Sequence, residues 1–164
     1  MKYLLSFLAF ALMLSCNSQT PVSSYSKIEY EAGGCFGSCP IFTITINPDR
    51  TATLEAEHFN FNKNQTFSKS DFSKPREGTF TTTLKEKDYQ RLLSLLDGLN
   101  IKSLKENYGE RNITDMPSAY LRIQFQDGTS KNIEDYGKHG TQKLAEMYTY
   151  FEDLRHNQQW TKVK

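Results

Sequence analysis

Positions 41–46 alternate strictly, with Phe42, Ile44 and Ile46 on one side and Ile41, Thr43 and Thr45 on the other. Side chains alternate across a β-strand, so this period predicts a half-buried strand with one apolar face. Pro40 stands at its start, where a missing N–H costs least. The same period recurs over 27–32 (Ile28, Tyr30, Ala32), over 51–57 (Ala52, Leu54, Ala56) and over 119–126 (Ala119, Leu121, Ile123, Phe125). Shorter strands are expected at 78–83 and 130–135. Asn47-Pro48-Asp49-Arg50 reads as a type I turn with proline in its favoured place. Asp127-Gly128 is the strongest short hairpin signal in the chain. Gly33, Gly34 and Gly37 give the stretch before Pro40 the backbone freedom of a tight loop.

Two segments switch to the helical period. Tyr89, Leu92, Leu93 and Leu96 form a stripe spaced by threes and fours, after Thr83 and Glu86 at capping-box spacing and before Gly98 as a natural stop. Thr141 is an N-cap candidate for a second helix carrying Leu144, Met147, Tyr148, Phe151 and Leu154 on one side, with Arg155 and His156 at its C-terminal dipole. Between them, 101–108 reads as a short helical piece or an extended connector, and 109–117 as a polar loop. The expected fold is α+β: an antiparallel sheet of about five or six strands with two amphipathic helices packed on it.

The front of the chain follows a different logic. Lys2 precedes an apolar run over 3–14 that is too short to span a bilayer, which needs about 20 residues. It ends in Met13-Leu14-Ser15-Cys16 and resembles a bacterial lipoprotein signal, with cleavage before a lipidated Cys16; Met13 stands where leucine is usual. This organises the chain as a signal peptide (1–15), a polar tether (16–26), one α+β domain (27–157) and a C-terminal tail (158–164). The expected location is the outer membrane of a Gram-negative cell, anchored through Cys16 and facing the periplasm. Removing 15 of the 164 residues leaves 149, the size of one domain with a proper core. Without Lys2, the 20 basic residues fall to 19 against 19 acidic ones. A neutral chain argues against nucleic acid, whose binding is driven by neutralising phosphates.

With Cys16 lipidated, two cysteines remain. Cys35 and Cys39 are separated by three residues, and a bend there brings their Cα atoms within the disulfide range of about 4.4–6.8 Å. A structural disulfide is the favoured reading in an oxidising compartment. A thiol-redox pair or a copper(I) site on the same two residues is the alternative. Reactive thiolates sit at helix N-termini or beside cations, whereas Cys39 leads into a strand and the motif contains no lysine or histidine. Copper chaperones of cytochrome oxidase assembly also carry Cys-x-x-x-Cys-Pro, but with a partner histidine not identified in this chain.

Other candidates weigh less. The stretch 59–76 interleaves Lys63, Lys69, Lys74 and Arg76 with Phe59, Phe61, Phe67 and Phe72; a long hairpin loop with packed rings and solvated lysines accounts for it. Asn60, Asn62, Asn64 and Asp71 have the spacing of a calcium loop, but Gln65 replaces its glycine and the early ligands are uncharged, so no metal is expected. His58, His139 and His156 are scattered, and no nucleophile–histidine–carboxylate motif, His-Glu-x-x-His or phosphate loop is present. The expectation is a non-enzymatic envelope module without a cofactor, with a possible envelope protein partner. Its candidate functional loop comprises Phe36, Gly37 and Pro40, with Asp115 and Tyr136. A narrower reading makes it an inhibitor of an envelope-targeting hydrolase, with Phe36 as anchor.

The run Cys35-Phe36-Gly37-Ser38-Cys39-Pro40 and its alternating strand carry a resemblance to the domain-of-unknown-function family 6438, found in small bacterial lipoproteins. Gly78, Leu104, Tyr108, Thr114-Asp115, Pro117, Asp135-Tyr136-Gly137 and the closing amphipathic helix fit the same family, over roughly 27–154. Asp49-Arg50 departs from it, since such proteins tend to have Asp-Gly there. The resemblance implies the domain and no particular activity.

Overall fold

Strand period and pairing register agree over the middle of the sheet, with register shifts between Tyr25 and Lys27 in the first strand and between Ile41 and Phe42 where the second and third strands pair. The computed structural model describes residues 23–61 and 68–163. The signal peptide, Cys16 and the tether up to residue 22 lie outside the described residues, as do 62–67 with Lys63, Phe67 and two of the calcium-spaced asparagines. Eight strands form one sheet: β1 (Tyr25–Ala32), β2 (Ile41–Ile46), β3 (Thr51–His58), β4 (Gly78–Thr83), β5 (Asn107–Tyr108), β6 (Ser118–Phe125), β7 (Ser130–Tyr136) and β8 (Thr161–Lys162). Their spatial order is β5-β7-β6-β1-β2-β3-β4-β8.

The sheet is larger than the expected five or six strands, and it is mixed rather than antiparallel. β5 runs parallel to β7, pairing Asn107 with Glu134 and Tyr108 with Asp135. The two additional edge strands are two residues each, too short to show any period. β8 lies in the stretch assigned to the tail, where Thr161 pairs with Thr81 and Trp160 packs against the core. β1 likewise begins at Tyr25, inside the stretch assigned to the tether.

Two helices, α1 (Glu86–Leu99) and α2 (Gln142–Asn157), cover one face of the sheet. That face is apolar except for the buried Asp135 on β7: Ile28, Tyr30, Phe42, Ile44, Leu54, Leu121 and Ile123 are at most 2% exposed. Tyr30 stacks on Phe151 of α2 at 4.6 Å. Across the other face, Thr45, Thr53, Thr81 and Thr161 occupy paired positions on four neighbouring strands. Arg122 there pairs with Glu29 and Glu31. One packed and one wet face is the usual antiparallel arrangement.

The helix ends differ from expectation in two places. Thr83 does not cap α1, because it pairs with Thr51 at the end of β4; Lys85 is the cap residue and makes no side-chain cap bond. Gly98 does not stop α1 either. The helix continues to bury Leu99, and Asn100 takes the left-handed conformation (φ 48°) that ends it. Thr141 caps α2 as read, accepting from the Leu144 amide at 3.1 Å. No helix among the described residues is long and apolar enough to cross a membrane.

The strand directions define two ends. The chain enters at Ser23 at one end, beside the 47–50 turn and the Asp127-Gly128 hairpin. At the other end lie the loop 33–40, the stretches 59–61 and 68–77, and the loop 109–117.

Candidate functional site

The 33–40 loop is fixed from three directions. Where β1 ends, the Gly33 amide donates to the Ser118 carbonyl at 2.8 Å and so extends the β1–β6 pairing. Cys35 and Cys39 are joined by a disulfide with a Cα separation of 5.7 Å. Closing so short a loop contributes about 2 kcal/mol on the chain-entropy model. Inside the ring Gly37 has φ 141°, a conformation L side chains rarely adopt. The third tie is a hydrogen bond from the Phe36 amide to the Asp115 carbonyl at 3.1 Å. The Phe36 side chain is 78% exposed.

The loop that supplies Asp115 is itself held by Tyr136. The Tyr136 hydroxyl donates to the Ile113 carbonyl at 2.7 Å and accepts from the Met116 amide at 3.3 Å. The Arg111 guanidinium lies over the Tyr136 ring at 5.3 Å and pairs with Glu134. The Gly137 amide donates to the Pro117 carbonyl at 2.8 Å. The expected residues Phe36, Gly37, Pro40, Asp115 and Tyr136 therefore fall in one contiguous region. Their roles are unequal: Asp115 acts through its backbone, with φ 65° and an exposed side chain, and Tyr136 is a brace.

On the other flank stands a residue that spacing rules did not single out for this role. Asn60 is 1% exposed and uses all its polar groups. Its side-chain amide donates to the carbonyls of Ile41 (2.9 Å) and His58 (3.1 Å), and its backbone amide donates to the Glu77 carboxylate at 3.1 Å. Arg155 reaches it from α2, donating to the Asn60 carbonyl at 3.0 Å and to its side-chain oxygen at 3.3 Å. Arg155 also pairs with Glu152 and lies over the Phe42 ring at 4.9 Å. Burial disfavours its charge and lowers its pKa from the ordinary arginine value, against the pull of Glu152 and Glu77. A polar residue between Phe59 and Phe61 was the available signal for Asn60; nothing in the spacing connects it to Arg155.

Asp135 anchors the turn beside Tyr136. Fully buried, its carboxylate accepts from the amides of His139 (3.1 Å) and Gly140 (2.8 Å) and from the Tyr148 hydroxyl (3.1 Å). Burial, together with the Asp135 charge and hydrogen bond, raises the pKa of Tyr148 well above the ordinary tyrosine value. A Cβ at position 140 would come within 2.7 Å of that carboxylate, so only glycine fits there.

The chemistry available follows from these contacts. Oxidised cysteines neither ligate soft metals nor attack as thiolates. Among the described residues, no group of three or more histidine, cysteine, aspartate or glutamate side chains could hold a metal ion. What the arrangement does offer is an aromatic side chain on a loop with little freedom left to lose. The family model for a domain of unknown function, DUF6438, matches residues 26–155. No curated protein matches the chain.

Proposed function

The chain belongs to the DUF6438 family, and from that footing we propose that it is a lipid-anchored interaction module of the bacterial envelope rather than an enzyme. In this reading Cys16 carries the lipid in the outer membrane and the domain faces the periplasm. The Cys35–Cys39 disulfide supports an oxidising compartment. The observation that carries the reading is Phe36: 78% exposed, on a loop closed by a disulfide and tied to Ser118 and Asp115. Aromatic anchors dominate protein interfaces, and a loop fixed beforehand loses little entropy on binding.

A copper(I) or thiol-exchange role for Cys35 and Cys39 would require the disulfide to open, so the structural role is better supported. A hydrolase inhibitor acting as a substrate-like strand is also disfavoured. The Phe36 amide such a strand would offer already donates to Asp115.

Cross-linking in intact cells, followed by mass spectrometry, tests the proposal with the native chain and with Phe36→Ala. The expected result is a protein adduct on the native chain that is lost in the variant. Adducts with lipid alone, or a protein adduct indifferent to Phe36, would overturn it.

A further inference from the structure

At the end of the sheet opposite the 33–40 loop, an open cavity of about 460 Å3 lies between the last turn of α1 and the β6–β7 hairpin. That volume is in the range of small-molecule sites. Its wall holds an aromatic pair flanked by two carboxylates. Tyr25 and Phe125 are 6% and 9% exposed, with ring centroids 5.5 Å apart. On the Tyr25 side, the hydroxyl donates to Asp97 Oδ1 at 2.9 Å, and the other Asp97 oxygen has no hydrogen bond among the described residues. On the Phe125 side, the Thr129 amide and hydroxyl fix Asp127 through Oδ1, leaving Oδ2 for Lys102.

An ammonium group already sits in this wall. Lys102 Nζ lies 4.4 Å from the Phe125 ring centroid and 2.8 Å from Asp127 Oδ2. A ring face beside a carboxylate is what recognises an organic ammonium ion. The lysine that supplies it is held loosely, since both side chains of the pair are more than half exposed and water competes for them. With Lys102 turned out to solvent, the ionic side chains left on the wall are Asp97 and Asp127. The last turn of α1 adds the negative end of its dipole and has no basic residue of its own, although Lys143 reaches its Gly98 carbonyl from α2. We infer that the cavity binds a linear polyamine: one ammonium replaces that of Lys102 on Phe125 and Asp127, a second pairs with Asp97, and the methylene chain crosses the two rings. Lys102, an aliphatic stem ending in an ammonium, is the built-in stand-in for half of that ligand. The buried Leu96 and Ile101 in the lining favour a ligand with methylene groups over a hydrated metal ion. This site does not depend on the Phe36 reading.

Isothermal titration of the full chain in a neutral detergent with putrescine, cadaverine and spermidine tests this, with pentylamine and magnesium as controls. Saturable one-to-one binding of at least one polyamine is expected. Asp97→Asn and Asp127→Asn should each weaken it about tenfold, the loss of one charge-assisted contact. Lys102→Ala, by removing the competing ammonium, should tighten it severalfold, a sign that a merely structural lysine would not give. All three variants should melt as the parent does. No saturation by any polyamine, with the parent or with Lys102→Ala, would overturn the site. So would binding indifferent to Asp97 and Asp127, or an affinity unchanged or lowered in Lys102→Ala. Pentylamine binding as tightly as cadaverine would overturn recognition by two carboxylates, and magnesium binding in place of the amines would overturn the organic ligand. Each of these results leaves the Phe36 reading untouched.

Discussion

The Phe36 amide donates to the carbonyl of Asp115 at 3.1 Å, joining the disulfide loop to the β5–β6 loop across a long stretch of sequence. The contact uses backbone on both sides, so its geometry depends on what holds Asp115 in place. That is the Tyr136 hydroxyl, bonded to Ile113 and Met116. Tyr136→Phe removes both bonds and leaves the ring. It should lower stability by about 1–2 kcal/mol in urea unfolding. Amide exchange at Phe36 should accelerate more than exchange in the middle of β2.

The two aspartates of the family-like motifs should behave oppositely. Asp135→Asn replaces an acceptor-only carboxylate facing three donors, and one of them must then meet an NH2 group. A loss of about 2–3 kcal/mol is expected, measured by denaturant midpoint. Asp115→Asn should leave the midpoint nearly unchanged, because the backbone carbonyl makes the contact and asparagine tolerates the left-handed conformation.

Alkaline pH should unfold the domain from within. Burial, with Asp97 beside it, pushes Tyr25 up to about 12; burial also raises Tyr30, Tyr148 and Tyr150. The folded state therefore holds these protons more tightly than the unfolded chain, in which tyrosine titrates near 10. Their contribution is complete below about pH 10 and is lost as pH rises through the folded values. Tyrosinate absorbance should show these four rings ionising only together with the loss of the circular-dichroism signal. On the acid side, burial raises the Glu29 carboxyl, but Lys27 and Arg122 outweigh it and hold it below its ordinary value. Its contribution is thus present above the ordinary glutamate range and fades as pH falls through the lower folded value.

Arg155 is a structural cation inside the fold. Arg155→Met keeps an unbranched apolar side chain, removes the guanidinium that lies over Phe42, and leaves the buried Asn60 oxygens without their donor. Stability should fall by about 2–3 kcal/mol in calorimetry or denaturant titration. Glu152→Gln, altering a partly exposed partner, should cost less than 1 kcal/mol.

Much of this fold is legible in the pattern of apolar positions. β2, β3 and β6 alternate cleanly because one face is packed and the other wet. The two-residue strands β5 and β8 are not legible, since their pairing is dictated by β7 and β4. Thr83 has capping chemistry, but strand pairing with Thr51 takes precedence; Gly98 is a competent stop, but burying Leu99 carries the helix past it. At position 50, where such proteins tend to have glycine, Arg50 adopts φ 69° and reaches the Leu84 carbonyl and Glu86. The cysteine loop is visible from its spacing alone. The brace from Tyr136 and the Asn60–Arg155 pair are not, because hydrogen bonds between distant residues leave no local period.

In the proposed function the disulfide loop is held rigid so that it presents Phe36 to a protein. The most direct measurement is photo-cross-linking yield from benzoyl-phenylalanine at position 36 in intact cells, with Cys35 and Cys39 present or both replaced by serine. The double variant should stay folded, since the bond contributes only about 2 kcal/mol. One protein adduct is expected on the disulfide-bonded chain, with a sharply reduced yield on the serine variant. Equal yields from both chains, or no protein adduct from either, would contradict it.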